Sequence, residues 1–394
     1  MAFLFALTAA LIAYGSLYPF AFRGAGIDAA AWQAFLATWD DSTGRGDLLA
    51  NIALFVPYGF LGMLAMAPRG SGAPRRLGAF VAVLVSGMLL AVGLQVAQLY
   101  LSARDPALQD AGWNGVGLLA GAVPGLVPWL HPSGRGGGER WRSIPALLIA
   151  AWVAYRLMPF VPSLDVQNAK NSLKPLLLSP IRLGIQGVLH DVAAWLTVAC
   201  IWWRAAPRRR YGEHWLFVAV PAIFFLEVLI VHNAVSASNV VGAALALLVW
   251  FAVLRHVPGR TGIVALLLAA YVVQAGLYPF QFLDSPRAFH WVPFHGFLGG
   301  SMFHNTLVLL EKFFFYGSLI WLVRETGIGA RLAALAVAGL VAAVEVAQVW
   351  GSGHTPEITD PLLVILIAWS LSAIETGRSE PVAAPTPHAP PATS

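Results

Sequence analysis

Apolar runs of about 20 residues recur along the chain, separated by short stretches rich in Gly, Pro, Arg and Asp. A helical run of that length matches a bilayer hydrocarbon core about 30 Å thick. Hydropathy predicts twelve such spans, at about 2–20, 47–67, 78–100, 112–130, 144–161, 183–203, 214–232, 237–255, 261–279, 302–323, 332–350 and 359–376. The runs are continuous and not alternating, which argues against a membrane barrel. The segment 377–394 is Pro- and Ala-rich and reads as disordered.

Composition sharpens this picture. The chain of 394 residues is 58% hydrophobic and 11% charged, whereas soluble domains carry roughly 25% charged residues. Its mean hydropathy is +0.71. The expected class is an all-α, polytopic integral membrane helical bundle. A net charge of +5 does not call for nucleic acid, because the basic residues punctuate short loops. Cys200 is the only cysteine, so no intramolecular disulfide or Cys-rich metal site can form. Residues 1–20 lack a basic leader and read as a retained span.

Lys and Arg set the expected orientation. Loops after even-numbered spans are the more basic, with Arg75, Arg76, Arg204, Arg208, Arg209, Arg210, Arg255, Arg260, Arg324 and Arg331 among others. Loops after odd-numbered spans hold only Arg23, Arg45, Arg104, Lys170, Lys174, Arg182 and Arg287. The positive-inside rule then places both termini in the cytoplasm.

The chain also resembles itself. SLYPF ends at Phe20, RLMPF at Phe160 and GLYPF at Phe280. Each closes the first span of a four-span block, roughly 1–130, 144–255 and 261–376, which predicts three tandem repeats of one orientation. Third spans of the outer blocks align without a gap: Gln95 with Glu345, Gln98 with Gln348, Arg104 with His354, Pro106 with Pro356 and Asp110 with Asp360. In the more degenerate middle block, Glu227 is assigned to the Gln95 place, and NVVG from Asn239 echoes NGVG from Asn114.

Polar residues gather at one predicted end, the extracytoplasmic one. Asp47 and Asn51 are spaced i,i+4 in GDLLANIALFVPYGF, and Gln95 and Gln98 are spaced i,i+3, so each pair shares a helix face. Asp47 and Asn114 stand at predicted helix starts, where backbone N–H groups need partners. Asn51 lies too deep for that cap and is expected to bond across helices towards Gln95 or Gln98. Glu311, Lys312 and Glu345 fall inside apolar runs, and charge there is costly. Adjacent Glu311 and Lys312 face different neighbours; a Lys312–Glu345 pair would offset both penalties. GLLAG, from Gly117 to Gly121, predicts close helix packing through small residues.

These motifs carry a resemblance. DLLANIALFVPYGFL followed by QVAQLYLSARDPALQDAGWNGVGLLAGAVPG resembles the VanZ-like membrane family, through Asp47, Asn51, Phe55, Pro57, Gly59, Gln98, Arg104, Asp110, Asn114 and Gly115. The chain departs from that pattern at Gln95, where the family more often has Glu. EKFFFYG, from Glu311, looks like the acidic–Lys variant of shorter members. The resemblance implies a multi-pass protein of the bacterial cytoplasmic (inner) membrane acting in the cell envelope. The family is named for a protein giving low-level teicoplanin resistance, and no agreed reaction comes with it.

Three functions compete. In the leading one, Arg104 engages an anionic lipid or lipid-linked glycan at the extracytoplasmic face, oriented by Asp47 and Asp110. Its site would comprise Asp47, Asn51, Gln98, Arg104, Asp110 and Asn114, echoed by Glu345, Gln348 and Asp360. Membrane lipids, or a lipid-linked envelope precursor, would be the partners. A second reading is an ion-coupled secondary transporter using Glu311, Lys312 and Glu345. A third is an enzyme on a lipid phosphate, although no nucleophile–base pair is evident. Against all three stands simple helix-to-helix bonding. His290, His295 and His304 fit no zinc spacing, and neither a metal nor another cofactor is expected.

Overall fold

The computed structural model describes residues 1–23, 26–40, 45–68, 71–126, 143–178, 183–205, 212, 214–298 and 302–376. The tail after Thr376 and Arg182, Arg208, Arg209 and Arg210 lie outside them.

Each of the twelve hydropathy segments coincides with a helix. In the first block these are α1 (Ala2–Leu17), α3 (Arg45–Met66), α4 (Ala73–Gln98) and α5 (Leu108–Leu126), with α2 (Ala29–Ala37) between α1 and α3. The middle block holds α6 (Ser143–Leu157), α7 (Val166–Leu178), α8 (Ile185–Ala205), α9 (Leu216–Leu229) and α10 (Ala237–Ala252). The last holds α11 (Arg260–Leu277), α12 (His295–Leu298), α13 (Met302–Glu325), α14 (Ala330–Gln348) and α15 (Thr359–Thr376). Among the described residues, six stretches are long and apolar enough to cross a membrane: Ala73–Gln98, Ile185–Ala205, Ala237–His256, Arg260–Leu277, His304–Glu325 and Ala330–Gln348. The loops after the three first spans, read from sequence as connections, contain α2, α7 and α12. Asp28 starts α2 by accepting the Ala31 N–H at 2.7 Å.

Small residues set the tightest packing. A Cβ at Gly117 would stand 2.0 Å from Ile52 O, one at Gly121 2.0 Å from Val56 O, and one at Gly59 2.3 Å from Leu118 O. The backbones of α3 and α5 therefore touch, and any side chain at these points would separate them. In the middle block Gly242 lets α10 approach α8, with Val188 O only 2.8 Å from a Cβ placed there.

The core is divided differently from the sequence. Block one buries its own cluster, including Ile12, Phe55, Met63, Val83 and Leu118. The other two blocks share a single core in which Leu148, Trp152 and Trp195 pack with Phe314, Ile320 and Val364. Block one meets the last block through α1: Tyr14 Oη donates to Pro293 O at 2.7 Å, and the Phe3 and Trp369 rings lie 5.8 Å apart.

One local geometry recurs at three points. The peptide bonds before Pro19, Pro159 and Pro279 are cis, and Phe20, Phe160 and Phe280 take φ of 62°, 62° and 59°. The chain then pairs with the end of the block's third span, at Phe22–Leu101, Pro162–Ile230 and Phe282–Gly351. Each pairing carries two backbone bonds: Arg23 N to Tyr100 O and Ser102 N to Ala21 O, Ser163 N to Leu229 O and Val231 N to Val161 O, and Leu283 N to Trp350 O and Ser352 N to Gln281 O. This register corrects the alignment of Glu227. The N–H of the bridging residue bonds the carbonyl of Gln98, Glu227 or Gln348, so Glu227 stands in the Gln98 place and Phe224 in that of Gln95. Hydropathy alone could not see the three-residue shift, because the neighbouring positions are all apolar.

Candidate functional site

The polar residues at the ends of the third spans are turned onto backbone. Gln98, half-buried on α4, donates from Nε2 to Ser16 O at 2.8 Å, and Gln348 on α14 donates to Gly276 O at 2.8 Å. Gln95 Oε1 accepts the Ala107 N–H at 3.1 Å, and Glu345 Oε2 accepts the Glu357 N–H at 2.9 Å. The last carbonyls of a helix have no partner within it, and in each block a side chain from the loop after the third span supplies one at the end of the first span. Arg104 donates from Nε to Tyr18 O at 2.9 Å and from Nη2 to Gly15 O at 3.1 Å. Asn233 Nδ2 donates to Arg156 O at 2.8 Å, and His354 Nε2 bonds Tyr278 O.

The other expected members stand on α3 and α5. Asn114 is buried, and its Oδ1 has no hydrogen-bond partner among the described residues. Asn51 and Asp110 are half-buried at the facing ends of α3 and α5. Gln95 and Gln98 spend the bonds above on backbone, not on Asn51. The Asp47 side chain lies outside the described residues.

In the last block, Lys312 corrects its expected partner. Its Nζ stands 2.5 Å from Asp360 Oδ1, not against Glu345, and Tyr316 Oη donates to Asp360 Oδ2 at 2.7 Å. The physical reason is local: Glu345 is already engaged by the N–H of Glu357, and Asp360 opens α15 directly beside α13. Glu311 turns the other way, its Oε1 3.0 Å from His190 Nε2 on α8.

The densest buried charge lies in the middle block, which looked weakest in sequence. Arg156 Nη1 meets Asp191 Oδ1 at 2.6 Å, its Nη2 meets Glu227 Oε2 at 3.0 Å, and its Nε bonds Glu227 Oε1. Asn239 Nδ2 donates to Asp191 Oδ2 at 2.6 Å, and Asn239 is itself fixed by a capping box with Ser236. The Arg156 guanidinium also lies 5.4 Å from the Trp152 ring centre and 5.2 Å from that of Phe224. Thus α6, α8, α9 and α10 each contribute one member. The sequence signal was there: Arg156, Asp191 and Glu227 interrupt three successive apolar runs. RLMPF marks the repeat, and its Arg156 is also the cation of this cluster.

Near the junction with block one, the His290 and His295 rings stack 4.5 Å apart, and His295 Nδ1 lies 2.5 Å from Tyr18 Oη. Among the described residues no group of three or more His, Cys, Asp or Glu is placed to hold a metal ion.

A family model described as VanZ/LLP1 matches residues 4–129. No curated protein and no solved structure matches the chain. The matched residues take in α1 to α5, with Gln98, Arg104 and Asn114. Residues 4–129 are thus similar to the VanZ/LLP1 family, and the chain around them is helical, with apolar helices of membrane-spanning length among the described residues.

Proposed function

We propose that this VanZ-like protein acts in the bacterial cell envelope by handling an anionic lipid, or a lipid-linked glycan, at the extracytoplasmic face of the cytoplasmic membrane. The observation that carries this reading is α7. Lys170 and Lys174 are exposed one turn apart on its outer side, and Leu164, Val166, Leu177 and Leu178 are exposed at its two ends. On the inner side Ser172 is buried, and Asn168 Nδ2 donates to Val228 O at 3.3 Å. Apolar ends flanking a basic stripe suit a helix lying in the interface, its leucines at the acyl boundary and its ammonium groups among phosphates. The equivalent helix of block one, α2, exposes Trp32 and Leu36, with Trp39 just beyond it. Indole rings favour that same depth.

In this reading the chain is three tandem VanZ-like repeats of four spans, 1–130, 144–255 and 261–376, with both termini cytoplasmic. The recurring turn and its two backbone bonds support the repeats. Parallel repeats with even span counts put α2 and α7 on one side. Arg104 is spent on the carbonyls of α1, so headgroup contact passes to Lys170 and Lys174, and the Arg104 cluster holds the helix ends that carry the surface helices.

The test is native mass spectrometry of protein extracted with its lipids, wild type beside a Lys170→Gln/Lys174→Gln double variant. An anionic lipid retained by wild type and lost in the folded double variant supports the reading. Equal retention by both sinks it.

A further inference from the structure

His190 joins two of the blocks through charge. Its Nε2 lies 3.0 Å from Glu311 Oε1 on α13, and its Nδ1 3.9 Å from Asp191 Oδ2 on its own helix. Tyr155 and Arg156 face it from α6, Glu227 lies beyond Arg156 on α9, and Tyr271 packs on it from α11. Arg156 pairs with Asp191 and Glu227, and Glu311 meets the imidazole instead, so the group holds three carboxylates and one guanidinium when the imidazole is neutral. The excess of two negative charges sits in an apolar interior, where each is costly. Protonating His190 halves that excess and gives both flanking carboxylates a cation.

Access is graded along the same line. The Glu311 side chain is 28% exposed, that of His190 16% and that of Asp191 0%. Glu311 is the outermost of the three, the imidazole lies next to it, and the closed Arg156–Asp191–Glu227 cluster stands behind. Lys312, adjacent to Glu311, is held by Asp360 and does not compete for it.

We propose that His190 and Glu311 form a proton-binding site that ties the middle block to the last. The bound proton sits on the imidazole, whose Nε2–H then donates to Glu311 while Nδ1–H faces Asp191. Its release to water leaves a neutral ring that can donate to one carboxylate only, and the tie between α8 and α13 weakens. The site gives an ion-coupled role a coupling residue outside the VanZ/LLP1 region, and it does not depend on lipid binding at α7.

The experiment is thermal unfolding of the full chain in detergent from about pH 6 to about pH 9, a range that brackets imidazole titration. Wild type is compared with His190→Gln and Glu311→Gln. Glutamine keeps an amide donor towards Glu311 but does not titrate, so a merely structural bond would survive it at every pH. A wild-type melting temperature that falls as pH rises, and a His190→Gln profile flattened across the same range, supports the site. A His190→Gln profile parallel to wild type, or a flat wild-type profile, overturns it. Should His190→Gln fail to fold, Glu311→Gln still decides: losing a carboxylate beside the imidazole must move the midpoint to lower pH, and an unmoved midpoint overturns the proposal.

Discussion

Lys312 Nζ and Asp360 Oδ1 stand 2.5 Å apart and couple α13 to α15. Asp360 is 8% exposed at its side chain, and Tyr316 Oη holds its other oxygen. Removing the cation strands a buried carboxylate. The Lys312 side chain is 32% exposed, which screens the pair and puts Lys312→Met at about 1–3 kcal/mol of lost stability, below the value for a sealed pair. Lys312→Met/Asp360→Asn should recover much of that loss. Thermal unfolding in detergent reads both, and a double variant no better than the single would show that Asp360 is not what Lys312 serves.

The Arg104 fork fastens Tyr18 O and Gly15 O at the end of α1. Arg104→Ala should lower stability by about 1–2 kcal/mol through two unsatisfied carbonyls. Arg104→Lys should recover less than half, since an ammonium cannot present two donors in that fixed geometry. Lipid retention by native mass spectrometry should stay at the wild-type level in both. Lipid lost with stability intact would return the headgroup role to Arg104.

Gln98 and Gln348 perform the same task in different blocks, each donating to one carbonyl at 2.8 Å. Gln98→Leu and Gln348→Leu should cost similar amounts, about 0.6 kcal/mol each, the average for bonds between membrane helices. Their effects should add in the double variant, because the sites share no partner. Strong non-additivity in chemical unfolding would mean that the two positions communicate.

Close backbone approach makes Gly117 and Gly121 far less replaceable than Gly78, where an added Cβ meets nothing within 4 Å. Gly117→Val and Gly121→Val should abolish a monodisperse size-exclusion peak, whereas Gly78→Ala should leave it unchanged. A well-folded Gly117→Val protein would contradict the α3–α5 contact.

Arg156 sits between Asp191 and Glu227, both buried. Arg156→Leu should destabilise by about 3–5 kcal/mol, the usual result of leaving buried charge unpaired. Replacing all three by leucine should be markedly milder, since no uncompensated charge remains. The comparison is made by thermal unfolding. A triple variant worse than the single would show that the network holds the helices in a way apolar packing cannot replace.

The amino-acid pattern by itself determined the class and the helices. Apolar runs of bilayer length leave little choice in lipid, because every backbone polar group must be satisfied within its own segment. It determined the Gly117–Gly121 contact for a similar reason: two small residues one turn apart are where helices can approach. The three Pro-Phe turns were also readable as a recurring string.

Partner choice was decided only by the tertiary structure. Whether Lys312 meets Glu345 or Asp360 depends on how α13, α14 and α15 rotate against one another, and hydropathy is blind to rotation. Glu227 was placed three residues out of register because a strand pairing, and not side-chain pattern, fixes the end of α9. Arg104 reads in sequence as a loop cation for a lipid headgroup, and only the fold brings the carbonyls of α1 within its reach. The surface helices α2 and α7 are too short to register as apolar spans. The Arg156–Asp191–Glu227 cluster brings together residues from three separate helices, and only packing places them in contact. Sequence records which groups are expensive to bury; the fold decides which neighbour offsets the cost.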